Sequence, residues 1–362
     1  MKKIAGIVLL AALMLLLQVG ARCADLSEAL GVSELENAVP QSAREALGTL
    51  DSEDDVQSGL ERLFGFAVDK LSEVMEEALR PALATLAVAL LCACCTGLNT
   101  KSSGLDYVGF GGCLAVSGIC FSDIGSVMVV GKKAMDDMLA FSHAMLPTLC
   151  ISASAAGAAG SSAAKYAAAV MFLDILMSAA ANLIFPLISA YAAVMAASAC
   201  LGSEQLKGAA GMIKSVVRLV LVLLVSAFTI YLSLTSLVAS SADVMATKAA
   251  KTAISTFVPV VGGIISDAAG SVVAGAGIVR ASVGVFGLVA VLAVCLLPFL
   301  RLGARYLLFK LSGTLALSCT SDRLSRLIEG AADVYGLILA SVGAEAVFLY
   351  ISVISMAKAV GG

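Results

Sequence analysis

Long apolar runs separated by short polar segments dominate the chain from residue 81 onward. A helix needs about 20 mostly apolar residues to cross the hydrocarbon core of a bilayer, which is roughly 30 Å thick. The pattern therefore predicts an all-α, polytopic helical membrane protein with six to eight spans. The candidate spans are residues 82–98, 108–130, 144–160, 166–200, 216–240, 253–279, 281–300 and 334–356.

Two of the later segments depart from a simple span. The run over residues 166–200 contains Asn182 and Pro186, and proline bends or breaks a helix. We expect either one kinked helix with an interfacial extension or a tight helical hairpin, and the pattern leaves both open. Residues 301–330 are amphipathic and basic, and we place them on the cytoplasmic side because positive charge favours that side.

The most informative interruption lies within residues 253–279. Proline and glycine make residues 257–268 a poor uninterrupted helix, and a serine and an aspartate add polar atoms at the far end. Irregular backbone at membrane depth survives only where protein or a water-filled cavity satisfies its polar groups. We therefore predict that residues 257–268 are non-helical and line or seal a path through the bundle. The candidate path or packing residues are Phe257, Pro259, Gly262, Gly263, Ser266, Asp267, Gly284, Gly287 and Asp123.

The first residues have the pattern of a secretory signal. Lys2 and Lys3 precede an apolar run over residues 4–17, which is short for a span, and small residues follow at 19–21. We predict a signal peptide over residues 1–24, with an uncleaved anchor as the alternative. In either case, the residues that follow should lie outside the cytoplasm.

An acidic segment follows the predicted signal. Residues 22–80 hold 14 acidic and 5 basic residues, so we predict an acidic extracytoplasmic region over 25–80 ahead of a polytopic membrane domain over 81–362. Within it, apolar residues recur at spacings of three and four over 52–80, which predicts an amphipathic helix. This helix would either pack on its own domain or dock a partner outside the membrane. Pro81 is expected to begin the first span.

Composition excludes several classes of protein. The chain is 60% hydrophobic and 14% charged, with a mean hydropathy of +1.00, whereas soluble domains carry about 25% charged residues. A clustered Lys and Arg surface for nucleic acid is missing. The chain has one histidine, His143, and its ten cysteines lie mostly in apolar runs. We predict that the protein is not an enzyme and has no catalytic, cofactor-binding or metal-binding residues.

Four acidic residues have apolar surroundings in the sequence. A charge at the bilayer centre costs roughly 2.5–3.5 kcal/mol on insertion scales, so such residues usually face a bundle interior, a cavity or a partner. They either line an ion or proton path or are paired structural groups near helix ends, and we favour pairing. The four acids are Asp123, Asp174, Asp267 and Glu345, and the suggested counter-ions are Lys165, Arg218 and Arg280.

Residues 257–311 contain a distinctive set of residues: Phe257-Val-Pro-Val-Val-Gly-Gly263, Ser266-Asp267-Ala268, Val283-Gly-Val-Phe-Gly287-Leu288, Cys295, Pro298, Tyr306 and Lys310-Leu311. Together these residues resemble the signature region of the stage III sporulation protein AE family. The order of the parts, from signal through acidic region to polytopic domain, is similar as well. One departure is that the family usually has Gly-Cys followed by Lys-Asn where this chain has Ala274 to Ala281; Arg280 keeps the positive charge, but the cysteine is absent.

The resemblance implies a membrane subunit of the mother-cell-to-forespore channel or secretion complex, which is required for endospore development after engulfment. It would be a multi-pass protein of the mother-cell membrane around the forespore. The implied partners are the other stage III sporulation operon A proteins, namely an ATPase, small membrane proteins and ring-forming proteins. The other implied partners are a forespore-side channel protein and membrane lipid.

Two other functions fit the residues themselves. A stand-alone secondary transporter of a small solute or ion would use the interrupted segment and Asp267 as its site. An assembly scaffold would have the same helices without a path through them.

Overall fold

A computed structural model describes residues 39–47, 56–98, 107–155, 159–257, 262–320 and 322–357, with the backbone alone described over 235–257 and 262–285. All regular secondary structure in these ranges is helical, as the sequence predicts. The elements are α1 (Gln41–Leu47), α2 (Val56–Leu98), α3 (Tyr107–Ala155), α4 (Ala159–Ala179), a π-helical turn (Ala180–Ile184), α5 (Phe185–Leu201), α6 (Glu204–Phe257), α7 (Gly262–Cys319) and α8 (Asp322–Ala357).

Six helical stretches are long and apolar enough to cross a membrane, by length and composition, in the described part of the chain. This number is at the lower end of the predicted six to eight. The helices are longer than a bilayer requires, since the 58 residues of α7 extend over roughly 87 Å at a rise of about 1.5 Å per residue. Each long helix therefore also contributes surface beyond a hydrocarbon core of roughly 30 Å.

Helix α8 forms the centre of the bundle and contacts α3, α4, α5, α6 and α7. Phe348 of α8 anchors an aromatic cluster, with its ring centroid 4.4 Å from that of Phe228 and 6.3 Å from that of Phe172. The rings of Phe228 and Phe348 are fully buried. Burial of these rings removes a large apolar area from solvent and favours particular ring orientations, and both effects fix α4 and α6 on α8.

The predicted amphipathic helix and the predicted first span form one helix, α2. Pro81 lies in its interior, so the expectation that it begins a span is wrong. The helix continues because side chains on both sides of the proline are buried: Val74 and Ala78 pack against Ala304 of α7, and Ala82 joins the main core. Tertiary packing here outweighs the local preference of proline for a helix start.

The first half of α2 packs along α7 rather than projecting from the bundle. Gly59 allows a close approach of the two helices, because a Cβ atom at this position would lie 2.9 Å from a methyl carbon of Val289. Packing on its own domain was one of the two predicted arrangements. Another apolar stripe of the same helix remains exposed, formed by Leu60, Phe64, Val68 and Leu71.

The structure also joins two predicted spans into α3, which runs unbroken from Tyr107 to Ala155. Over residues 166–200, by contrast, the backbone stays helical through Asn182 and Pro186, so the hairpin alternative is wrong. The amide of Phe185 bonds to the carbonyl of Ala180, which is the five-residue pattern of a π-helical turn just before Pro186. The wider turn accommodates the proline, which has no amide hydrogen to donate.

The interrupted segment becomes a boundary between two helices. Helix α6 ends at Phe257 and α7 begins at Gly262, while residues 258–261, including Pro259, lie outside the described residues. The prediction of a non-helical segment over 257–268 is therefore wrong for Phe257 and for residues 262–268. The glycine pair is tolerated because it lies at the start of a helix and not in its interior. From there α7 continues through the predicted span at 281–300 to Cys319.

Candidate functional site: a buried ionic cluster

Arg305 of α7 lies at the junction of three helices with only 5% of its side chain exposed. Its Nη2 donates to Oε1 of Glu77 on α2 at 2.9 Å, and its Nε donates to Oδ1 of Asp123 on α3 at 3.4 Å. Arg301, one turn earlier on α7, places Nε 3.7 Å from Oε2 of Glu77. The spacing of four residues puts both guanidinium groups on one face of α7, toward α2.

Asp123 receives a second hydrogen bond from the central helix. The hydroxyl of Tyr335 on α8 donates to Oδ2 of Asp123 at 2.6 Å. Tyr335 is fully buried, and its ring meets the ring of Phe309 edge-on at a centroid distance of 4.9 Å. The aromatic contact fixes the position of the hydroxyl, so the carboxylate is held from both sides. We call Glu77, Asp123, Arg301, Arg305 and Tyr335 the Arg305 cluster.

A second polar group surrounds Asp333, two residues before Tyr335 on α8. Nζ of Lys214 on α6 lies 2.6 Å from Oδ2 of Asp333, and Nζ of Lys310 on α7 lies 3.6 Å from Oδ1. The hydroxyl of Tyr191 on α5 donates to the same carboxylate at 3.3 Å. We call these four residues the Asp333 cluster. The two clusters together include side chains from α2, α3, α5, α6, α7 and α8.

A cavity of about 240 Å³ with several charged lining residues adjoins the Asp333 cluster between α5, α6 and α8. Both acidic and basic residues line the cavity, and neighbouring ones form ion pairs. For example, Nη1 of Arg326 lies 3.4 Å from Oε1 of Glu204. Such a cavity can hold water and hydrated ions next to Asp333. The charged residues that line it are Glu204, Lys207, Lys214, Arg326, Glu329 and Asp333.

The sequence model described as Stage III sporulation protein AE matches residues 55–360. The chain belongs to the stage III sporulation protein AE family. The match includes every residue of both clusters and all six long apolar helical stretches. Neither the curated proteins nor the solved structures gave a match to the chain.

In this family member, the two clusters hold opposite charges next to each other at fixed positions. Each carboxylate faces at least one cation, and the tyrosine hydroxyls supply further donors. Removing one partner of a buried ion pair leaves an uncompensated charge and costs about 3–5 kcal/mol, so such clusters hold helices in a defined alignment. The Arg305 cluster aligns α2, α3 and α8 on α7.

Among the predicted site residues, Asp123 and Gly287 have described surroundings. Asp123 belongs to the Arg305 cluster. Gly287 lies five turns before Arg305 on α7, where a Cβ atom would collide with Met145 of α3, so it is a packing position. Phe257, Gly262, Gly263, Ser266, Asp267 and Gly284 have helical backbone, and their side-chain surroundings, like Pro259 as a whole, lie outside the described residues.

The acids that the sequence singled out have different environments. Asp174 lies 3.7 Å from Nε2 of His143, and both side chains are about half exposed. Asp123 has a cation partner, Arg305, that the sequence did not suggest. Glu345 is fully buried within α8.

Sequence reasoning missed Glu77, Arg305, Tyr335 and the whole Asp333 cluster. A signal was present in the spacing of Arg301, Arg305 and Lys310 within one otherwise apolar stretch of α7. Those residues were assigned to a cytoplasmic surface because nothing in the sequence shows which acids they meet.

Proposed function

We propose that this protein is an integral membrane subunit of the mother-cell-to-forespore channel or secretion complex, and that it supports endospore development after engulfment. The observation that carries the proposal is the family match over residues 55–360. Its site of action is then the mother-cell membrane that surrounds the forespore. Six apolar helical stretches suit a multi-pass protein in that membrane.

The ionic clusters favour a subunit of fixed shape over a stand-alone carrier. A secondary transporter alternates between two arrangements of its helices around a central site. Here the Arg305 cluster joins α2, α3, α7 and α8 through charge-assisted hydrogen bonds that any such rearrangement would have to break. A bundle with paired charges at its centre is suited to be a stable part of a larger machine.

The exposed stripe of α2 supports a contact with a further membrane subunit. Phe64 is 73% exposed, and it borders an apolar groove of about 700 Å³ between α2, α7 and α8. Phe299 and Tyr350 lie on the same groove. Large exposed apolar patches mark protein or membrane contacts. We propose that membrane proteins of the same sporulation operon cover this surface. Through them, the subunit would join the ATPase, the ring-forming proteins and the forespore-side channel protein.

Affinity purification from sporulating cells in mild detergent tests this function. A photo-crosslinking residue at position 64 should capture other products of the sporulation operon. The matched control is position 212 on α6, because Met212 is 72% exposed but lies away from the groove. Purification of the protein alone, together with solute transport in liposomes without any partner, would instead establish a secondary transporter.

A further inference from the structure

Glu345 differs from the acids of the two ionic clusters. It is fully buried in the middle of α8, and within the described part of the chain neither carboxyl oxygen has a hydrogen-bond partner. Asp123 and Asp333 each accept hydrogen bonds from a cation and from a tyrosine. The bundle therefore stabilises a negative charge at those two positions but supplies no donor for one at Glu345.

The nearest polar groups on the same face of α8 are already engaged. Ser341 lies one turn before Glu345 and donates its hydroxyl to the carbonyl of Leu337 at 3.0 Å. Ser352 lies two turns after it and donates to the carbonyl of Phe348 at 2.7 Å. Since both hydroxyl hydrogens point to the backbone of α8, neither stabilises an ionised Glu345.

The groups on the helices packed against α8 also disfavour a charge here. Among the described residues, Asp136 of α3 and Cys295 of α7 lie close enough to Glu345 to interact with it electrostatically, and a negative charge on Asp136 would repel a second one on Glu345. The thiol of Cys295 lies 3.4 Å from the sulfur of Met138. Calcium, magnesium and alkali cations bind oxygen ligands, so this sulfur-rich environment does not suit them.

We propose that Glu345 is a proton-binding site within the membrane bundle, and that α3, α7 and α8 pack around its neutral carboxylic acid. A buried ionised carboxylate without a partner costs several kcal/mol, and a bound proton removes the charge. The proposal goes beyond membership of the sporulation complex and does not depend on it.

Proton occupancy at Glu345 would be coupled to the packing of the bundle. Loss of the proton creates an unpaired charge between α3, α7 and α8, where the described residues offer no cation. The bundle would then have to admit water to the carboxylate. A change of this kind is a shift in population between two states that differ in affinity for a proton.

Infrared spectroscopy of the full-length protein in liposomes tests the site. The spectrum of the wild type minus that of Glu345→Gln should contain the carbonyl band of a protonated carboxylic acid at neutral pH, and this band should disappear at alkaline pH. Glu76→Gln is the matched control, since the Glu76 side chain is 71% exposed and should contribute carboxylate bands instead. Carboxylate bands from Glu345 at neutral pH would overturn the proposal.

A second variant makes the test independent of one substitution. Glu345→Leu has a similar volume and no proton to lose, so it should fold and be as stable as Glu345→Gln at neutral pH. The melting temperature of the wild type should fall at alkaline pH more than that of either variant, because loss of the proton leaves a buried charge without a partner in the folded protein and not in the unfolded chain. The proposal would be wrong if both variants failed to fold. It would also be wrong if the melting temperatures of the variants fell at alkaline pH as much as that of the wild type.

Discussion

Arg305 and Glu77 are 228 residues apart in the chain, yet Nη2 of Arg305 donates to Oε1 of Glu77 at 2.9 Å. This contact joins α2, the first long helix, to α7 within the bundle. It places a charged pair where the sequence predicts a border between an extracytoplasmic region and a membrane domain. Because Arg305 also reaches Asp123, the same guanidinium group aligns a third helix.

Arg305→Ala should destabilise the protein markedly. The substitution leaves Asp123, whose side chain is only 12% exposed, without its cation. Loss of one partner of a buried ion pair costs about 3–5 kcal/mol, and we expect about 3 kcal/mol because Glu77 is 46% exposed and partly screened by water. The melting temperature in detergent measures the effect.

The matched control for Arg305→Ala is Arg80→Ala. Arg80 also contacts a glutamate, at 2.8 Å from Glu76, but its side chain is 79% exposed. Exposed ion pairs contribute at most about 1 kcal/mol. Equal losses in the two variants would contradict a structural role for the Arg305 cluster.

Tyr335→Phe should separate the hydrogen bond to Asp123 from the packing of the ring. The variant keeps the edge-on contact with Phe309 but removes the donor that lies 2.6 Å from Oδ2 of Asp123. Hydrogen bonds to charged groups contribute about 1.5–3 kcal/mol, so the melting temperature should fall. Tyr350→Phe is the control, because Tyr350 is 38% exposed, and its melting temperature should match that of the wild type. A Tyr335→Phe variant as stable as the wild type would show that Asp123 does not need this donor.

Gly287 and Gly118 should respond to alanine in opposite directions. A Cβ atom at Gly287 collides with the terminal methyl of Met145, and because Met145 is fully buried that methyl has little room to move, so we expect an overpacking cost of about 1–3 kcal/mol. Gly118 has open space around a Cβ atom in the middle of α3, where alanine is favoured over glycine by about 1 kcal/mol. Melting curves should show a lower melting temperature for Gly287→Ala and a higher one for Gly118→Ala than for the wild type. A stabilised Gly287→Ala variant would contradict the close packing of α3 on α7.

The hydrophobic pattern predicts the helical class and a range of span numbers that includes the six long apolar stretches, and Asn182 and Pro186 mark the irregular turn, because each depends on local sequence. It misplaces the helix boundaries at Pro81 and within 257–268, where packing between distant segments decides whether a helix continues. The ionic clusters are harder to predict from sequence than the helix boundaries, since Asp123 could pair with any basic residue of a neighbouring helix. Lys165, suggested as a counter-ion, donates to the backbone carbonyl of Ser355 at 3.0 Å, a contact that the sequence does not reveal.

The central structural claim is that the contact between Glu77 and Arg305 joins α2 to the rest of the bundle. A double-mutant cycle of Glu77→Ala and Arg305→Ala, read from unfolding of the protein in detergent, tests it most directly. Residues in one ion-pair network show interaction energies of about 0.5–3 kcal/mol, so the double variant should be less destabilised than the sum of the two single variants. Strictly additive losses would contradict the claim.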